Sequence, residues 1–133
     1  MTKYTADHAA QGKVDKLPKL EVWPNQYKRN YEITMVVPEY TSVCPKTGLP
    51  DFGTVTIRYI PDQTCIELKS LKYYLLGYRN MGIFYENAMN RILDDLVASC
   101  KPRWMSVKGE FNTRGGMHSI VECQYPPVKP SPR

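Results

Sequence analysis

Residues 53–100 read GTVTIRYIPDQTCIELKSLKYYLLGYRNMGIFYENAMNRILDDLVASC, and the changes of period inside this stretch decide the fold. Over 53–60 the side chains alternate. Val55, Ile57 and Tyr59 face one way, Thr54, Thr56 and Arg58 the other, the pattern of a half-buried strand. Pro61-Asp62 marks a turn, and Cys65-Ile66-Glu67-Leu68 a short extended piece. From Ser70 the period becomes helical, with Leu71, Tyr74, Leu75 and Tyr78 on one face and Ser70 suited to the N-cap. Asn80-Met81-Gly82 breaks that helix. Then Phe84, Ala88, Met89, Ile92, Leu93, Leu96, Val97 and Cys100 form one apolar stripe, which Pro102 ends.

The flanks complete the pattern. YEITMVV (31–37) is rich in β-formers and ends at Pro38. WMSVKGEF (104–111) alternates, with Met105, Val107 and Phe111 on one face. Arg114-Gly115-Gly116 signals a turn, and HSIVECQY (118–125) reads as a last strand. The order β-β-α-α-β-β predicts an α+β layer, a four-stranded antiparallel sheet with both helices on one face. So small a sheet has open edges that invite association into rings or closed barrels. Residues 31–125 are read as the folded domain. Residues 1–30 are read as a partly disordered arm and 126–133 as a Pro-rich tail.

At 133 residues and 42% apolar content the chain suits one domain with one core. No apolar run is long enough to span a membrane, and the N-terminus lacks a signal-like stretch, so a cytoplasmic protein is expected. The net charge of +5 suits an anionic ligand or RNA. Cysteines at 44, 65, 100 and 123 form no CxxC pair, and only His8 and His118 are present. Reduced thiols and no metal are therefore expected.

Two motifs carry chemistry. In PEYTSVCPKTGLPDFGTV (38–55), Asp51 follows Cys44 by seven residues in a Pro-rich stretch. A thiolate nucleophile needs a nearby proton carrier and a stiff loop. The plainer reading is a small buried hydrophobe. In ELKSLKYY (67–74), Lys69 and Lys72 share a helical face beside Ser70, whose place at a helix start favours phosphate. The plainer reading there is a solvated face. No GxGxxG occurs.

In order, PEYTSVCPKTGLPDF (38–52), IELKSLKYY (66–74), RNMGIFYENAMN (79–90) and TRGG (113–116) resemble the nitrile reductase family QueF, in its unimodular form. The resemblance implies a tunnelling fold (T-fold), whose sheets assemble into barrels. It implies NADPH-dependent reduction of 7-cyano-7-deazaguanine to 7-aminomethyl-7-deazaguanine, in the biosynthesis of the tRNA nucleoside queuosine. Cys44 would form a covalent thioimide and Asp51 would donate protons. Glu86 would read the deazaguanine base, with Ile66, Glu67, Leu68 and Tyr85 also touching substrate. Lys69, Ser70, Lys72 and Arg114 would hold NADPH. The partners implied are a small 7-deazapurine and other copies of the chain, in a decamer of two pentamers, with no direct nucleic acid and no membrane. Two departures stand out: Tyr85 replaces the His of many members, and Ala88 replaces a second, protective Cys of some. The rival readings are a QueF-like amidinotransferase acting on tRNA, which would lack ELKSLKYY, and a small basic RNA-binding module without catalysis.

Overall fold

The alternating run after Gly53 becomes the middle of a sheet. A computed structural model describes residues 3–13 and 15–131. Its elements are α1 (Ala6–Ala10), β1 (Val22–Pro24), β2 (Ile33–Val43), β3 (Pro50–Ile60), β4 (Thr64–Ile66), α2 (Leu68–Leu76), α3 (Tyr85–Cys100), β5 (Trp104–Phe111) and β6 (Ile120–Tyr125). β2, β3, β5 and β6 form an antiparallel sheet in that spatial order. Val55, Ile57 and Tyr59 of β3 face the same side as Met105 and Val107 of β5. They share one core with Leu71, Tyr74 and Leu75 of α2 and Ala88, Met89, Ile92 and Leu96 of α3. Both helices thus cover one face, because each carries a single apolar stripe and the strands offer a single apolar side.

A bulge in β2 sets up the site. Val37 pairs with Val55, but the next pair is Tyr40 with Gly53, so β2 carries one extra residue at Pro38-Glu39. Proline there removes no ladder bond that the bulge has not already disrupted. The extra residue flips the facing of the rest of the strand. Ile33, Met35 and Val37 face the core before the bulge, and Tyr40 and Ser42 face it after. Ser42 is thereby placed opposite Asp51.

The two ends lie closer to the domain than an arm and a tail. β1 pairs with β4 as a two-stranded ladder, and Leu17 and Leu20 pack against the core. β4 offered a strand edge that needed a partner. At the other end Lys129 pairs with Glu32 at 2.5 Å, and its Nζ sits 4.6 Å from the Trp104 ring centroid. Residues 1–2, 14 and 132–133 of those stretches lie outside the described residues. No helix among the described residues is long and apolar enough to cross a membrane.

Candidate active site

β2 and β3 run further toward each other than the Pro-rich sequence predicts, so Pro38 and Pro50 belong to strands and the loop is only 44–49. It is stitched shut. The Cys44 N–H donates to the Leu49 carbonyl at 2.9 Å, and the Gly48 N–H donates to the Cys44 carbonyl at 2.9 Å. Gly48 takes φ +72°, which a side chain would resist. Just upstream, the Val43 N–H donates to the Met81 carbonyl at 2.9 Å and its carbonyl accepts from the Ile83 N–H at 3.0 Å. The Cys44 loop is therefore tied to the segment between the two helices.

This geometry acts on the thiol. Partial burial pushes Cys44 up, but the Thr47 hydroxyl and the backbone N–H groups of Thr47 and Lys46 outweigh it, and the thiol sits below its ordinary value. Nearby Asp51 opposes them with a smaller upward push. The other thiols differ. Burial pushes Cys100 up to about 12 and Cys123 up to about 11, and Cys65 is buried in the core region. All four cysteines are free.

Asp51 is 4% exposed. The Tyr85 hydroxyl donates to its Oδ1 at 3.0 Å, and the Arg114 guanidinium pairs with the same oxygen. Tyr85 is itself held by its ring, stacked on Phe111 with centroids 3.7 Å apart and planes 8° from parallel. Gly53 makes room for that stack, since a Cβ there would lie 2.8 Å from Phe111 Cδ1. Burial and the Asp51 hydrogen bond both raise the Tyr85 phenol, so it stays a donor. Behind Asp51, the Tyr40 and Ser42 hydroxyls are sealed from solvent and close no hydrogen bond with any described residue, although Ser42 is near enough to act on the Tyr40 phenol. The ensemble is a thiol held below its ordinary pKa near a buried carboxyl with one oxygen tied down. Such a pair suits covalent addition followed by proton transfer.

A cleft of about 740 Å³ opens between the β2 bulge and α2. Val36, Phe52, Leu68 and Leu76 give it apolar walls, and Lys72 and Arg79 set two cations in it. Cys44 and Asp51 stand outside it.

The sequence model described as QueF-like protein matches residues 50–129. The NADPH-dependent 7-cyano-7-deazaguanine reductase of Elusimicrobium minutum is 61% identical over 122 residues, covering 92% of each chain. That of Chlorobium luteolum is 66% identical over 107 residues, covering 80% of this chain and 92% of its own. This chain belongs to the QueF family. A crystal structure of the archaeosine synthase QueF-Like in the apo form superposes with a TM-score of 0.68 at 22% identity, covering 73% of this chain and 95% of that one. That likeness shows the fold, the α+β layer read from the element order and the T-fold that the resemblance implies.

Within this QueF-family chain the remaining candidates fall into three groups. Tyr85 and Arg114 gather on Asp51, so Arg114 stands at the acid and not beside the lysines expected to share a cofactor with it. Ile66 and Ser70 are bonded into the fold. Ile66 is 3% exposed in the core, its N–H donating to the Tyr59 hydroxyl at 3.0 Å. Ser70 is buried, accepts the Glu21 N–H at 2.9 Å, and donates to the Glu67 carbonyl at 2.8 Å. It does not cap α2; Glu67 does, its carboxylate accepting from the N–H groups of Lys69 and Ser70. The third group faces outward. Leu68 is 64% exposed, Lys69 and Lys72 are exposed on α2, and Glu86 is exposed in the first turn of α3 next to Tyr85.

Sequence reasoning missed Ser42, Tyr40 and the support given by Phe111. Pro38 was the available signal, as a strand proline that implies a bulge and so a change of facing. Among the described residues no group of three or more His, Cys, Asp or Glu side chains gathers to hold a metal.

Proposed function

We propose that Cys44 is the nucleophile and Asp51 the proton carrier of an NADPH-dependent 7-cyano-7-deazaguanine reductase, the activity of the relatives named for it, serving queuosine biosynthesis. The observation that carries this reading is the cradled, low-lying Cys44 thiol beside a buried Asp51 that Tyr85 and Arg114 hold by one oxygen.

The Cys44 sulfur bonds to the nitrile carbon, and the proton lost from the thiol reaches the nitrile nitrogen through Asp51, giving a thioimide. When bound, NADPH supplies a hydride to that carbon twice. The C–S bond breaks between the two additions. The same N–H groups and Thr47 hydroxyl that lower the thiol stabilise the departing Cys44 thiolate. Asp51 passes on the two protons that balance the two hydrides, so one nitrile becomes one aminomethyl group. Glu86, at the exposed start of α3, offers a carboxylate to the amine and ring N–H of the base.

The cleft beside α2 fits NADPH chemically. Its apolar walls suit flat rings, and Lys72 and Arg79 suit phosphate, with Lys69 nearby on the same helix. Ser70 and Arg114 are engaged elsewhere. Lys72→Ala is expected to raise KM for NADPH about tenfold, the scale of one charge-assisted hydrogen bond, with little change for the cyano substrate. Ser70→Ala should leave that KM unchanged and lower the melting temperature. Steady-state titration of each substrate reads both.

The decamer of two pentamers is part of this reading. β2 and β6 are the sheet's two edges, and they leave Val36 59%, Ile120 53% and Tyr125 51% exposed. Cys44 and Glu86 of different copies would then meet one base. Sedimentation velocity should give a particle many times 15.3 kDa, and mixing Cys44→Ala with Glu86→Ala protein should restore part of the activity that each lacks. A fully active monomer would overturn the assembly. The cytoplasm belongs to the same reading, as a compartment that keeps thiols reduced.

The direct test of function tracks NADPH absorbance. It should fall when 7-cyano-7-deazaguanine is added and stay level without it. ELKSLKYY and the relatives' activity both favour reduction over the amidinotransferase and RNA-binding readings.

A further inference from the structure

The N-terminal segment grips the nucleophile loop at two points. At the first, the Tyr4 ring lies under Lys46, whose Nζ is 4.2 Å from the ring centroid, two residues beyond Cys44. The same ring packs 5.5 Å from that of Phe84, the N-cap residue of α3, which precedes Tyr85 and Glu86. Tyr4 thus bridges the loop bearing the nucleophile and the helix end bearing the groups that hold Asp51 and face the base. At the second point, Gly12 is buried against Gly82 and Ile83. A Cβ on it would come within 2.6 Å of the Gly82 carbonyl oxygen and of Ile83 Cβ, and its φ of +83° also favours glycine. Ile83 in turn holds Val43, the residue before Cys44, by a 3.0 Å hydrogen bond. Between these points α3 fastens the segment. The Asn87 amide donates to the Ala9 carbonyl, and Arg91 donates to the Gly12 carbonyl at 2.5 Å and to that of Asp15. Yet α1 buries no residue of its own. The contacts that reach the loop and the helix end come from Tyr4 and Gly12 on either side of it.

We propose that residues 3–13 form a positioning strap for the Cys44 loop, with Tyr4 acting through Lys46 and Phe84 and Gly12 acting through Ile83 and Val43. The proposal rests on Cys44 being the nucleophile. The strap keeps the Lys46 and Thr47 N–H groups aimed at the sulfur, so its loss slows attack by Cys44 without touching the NADPH cleft.

Two rates on the full-length chain test this: iodoacetamide alkylation of Cys44 monitored by mass, and adduct formation with 7-cyano-7-deazaguanine in the absence of NADPH. Tyr4→Ala should slow both about two- to fivefold, the scale of an exposed cation–π contact, and lower kcat while KM for NADPH holds. Tyr4→Phe keeps the ring face and should recover the wild-type rates. Gly12→Ala, which cannot seat in its socket, should slow both at least as much as Tyr4→Ala. Wild-type rates in Tyr4→Ala would overturn the proposal. So would equal losses in Tyr4→Ala and Tyr4→Phe that track only a lowered melting temperature. If wild-type protein forms no adduct at Cys44, the functional reading fails, and the alkylation rates still decide the strap.

Discussion

Cys44→Ala is expected to form no adduct with 7-cyano-7-deazaguanine and to oxidise no NADPH. The expectation rests on a contrast among four free thiols. Only the thiolate attacks. Cys100 and Cys123 are pushed up by burial to about 12 and about 11, so near neutral pH they hold almost no thiolate. Cys44 is shifted the other way by its Thr47 and Lys46 donors. A lowered pKa populates the attacking form at lower pH. In wild-type protein the rate of adduct formation should therefore climb with pH and level off, with a midpoint below that of an ordinary cysteine thiol. Intact-protein mass with substrate and no NADPH reads the adduct, and peptide mapping reads its position. Cys100→Ala, by contrast, opens a small gap in the core where Cys100 is 1% exposed, and should lose stability while still forming the adduct. An adduct on any cysteine but Cys44 would refute the assignment.

Asp51→Asn should lower turnover about 10²-fold or more, the usual contribution of a positioned proton carrier. Asparagine keeps the shape, and its carbonyl still accepts the Tyr85 hydroxyl, so the geometry around Phe111 survives. The substitution removes the group that gives and takes protons, and the charge facing Arg114. A second measurement separates these effects. The Asp51 charge pushes the Cys44 thiol upward, so its removal lowers that thiol further. Iodoacetamide should then alkylate Cys44 in Asp51→Asn at least as fast as in wild type, although turnover has collapsed. Calorimetric binding of the cyano compound should persist. Near-normal turnover in Asp51→Asn would remove Asp51 from the mechanism, and slowed alkylation would mean that the substitution had disturbed the loop itself.

Much of this architecture is local and was legible as such. The alternation of 53–60 and 104–111 and the stripes on α2 and α3 depend on side-chain period alone, and they select most of the core, although Trp104 and Ser106 on the other face of β5 are buried as well. The Cys44 and Asp51 candidates were legible because a Pro-rich stretch put a thiol and an acid within seven residues. The surroundings of Asp51 were not. Its partner Arg114 is 63 residues away and Tyr85 is 34 away, and no period links them. Ser70 looked like a cap or a phosphate ligand because helix starts offer both roles. Its bond to Glu21, 49 residues upstream, arises because β1 had to seat beside β4. The bulge at Pro38-Glu39 is the clearest case. One residue too many in β2 reverses which side chains face inward, and only strand register, set by the whole sheet, decides where that residue goes. By itself the sequence determined the order of the main strands and the two long helices, their apolar faces and the candidate pair Cys44 and Asp51, while α1 and β1 fell in the stretch read as an arm. The tertiary structure decided which distant side chains hold that pair in place, because hydrogen bonds and ring contacts between remote residues exist only once the sheet's register is fixed.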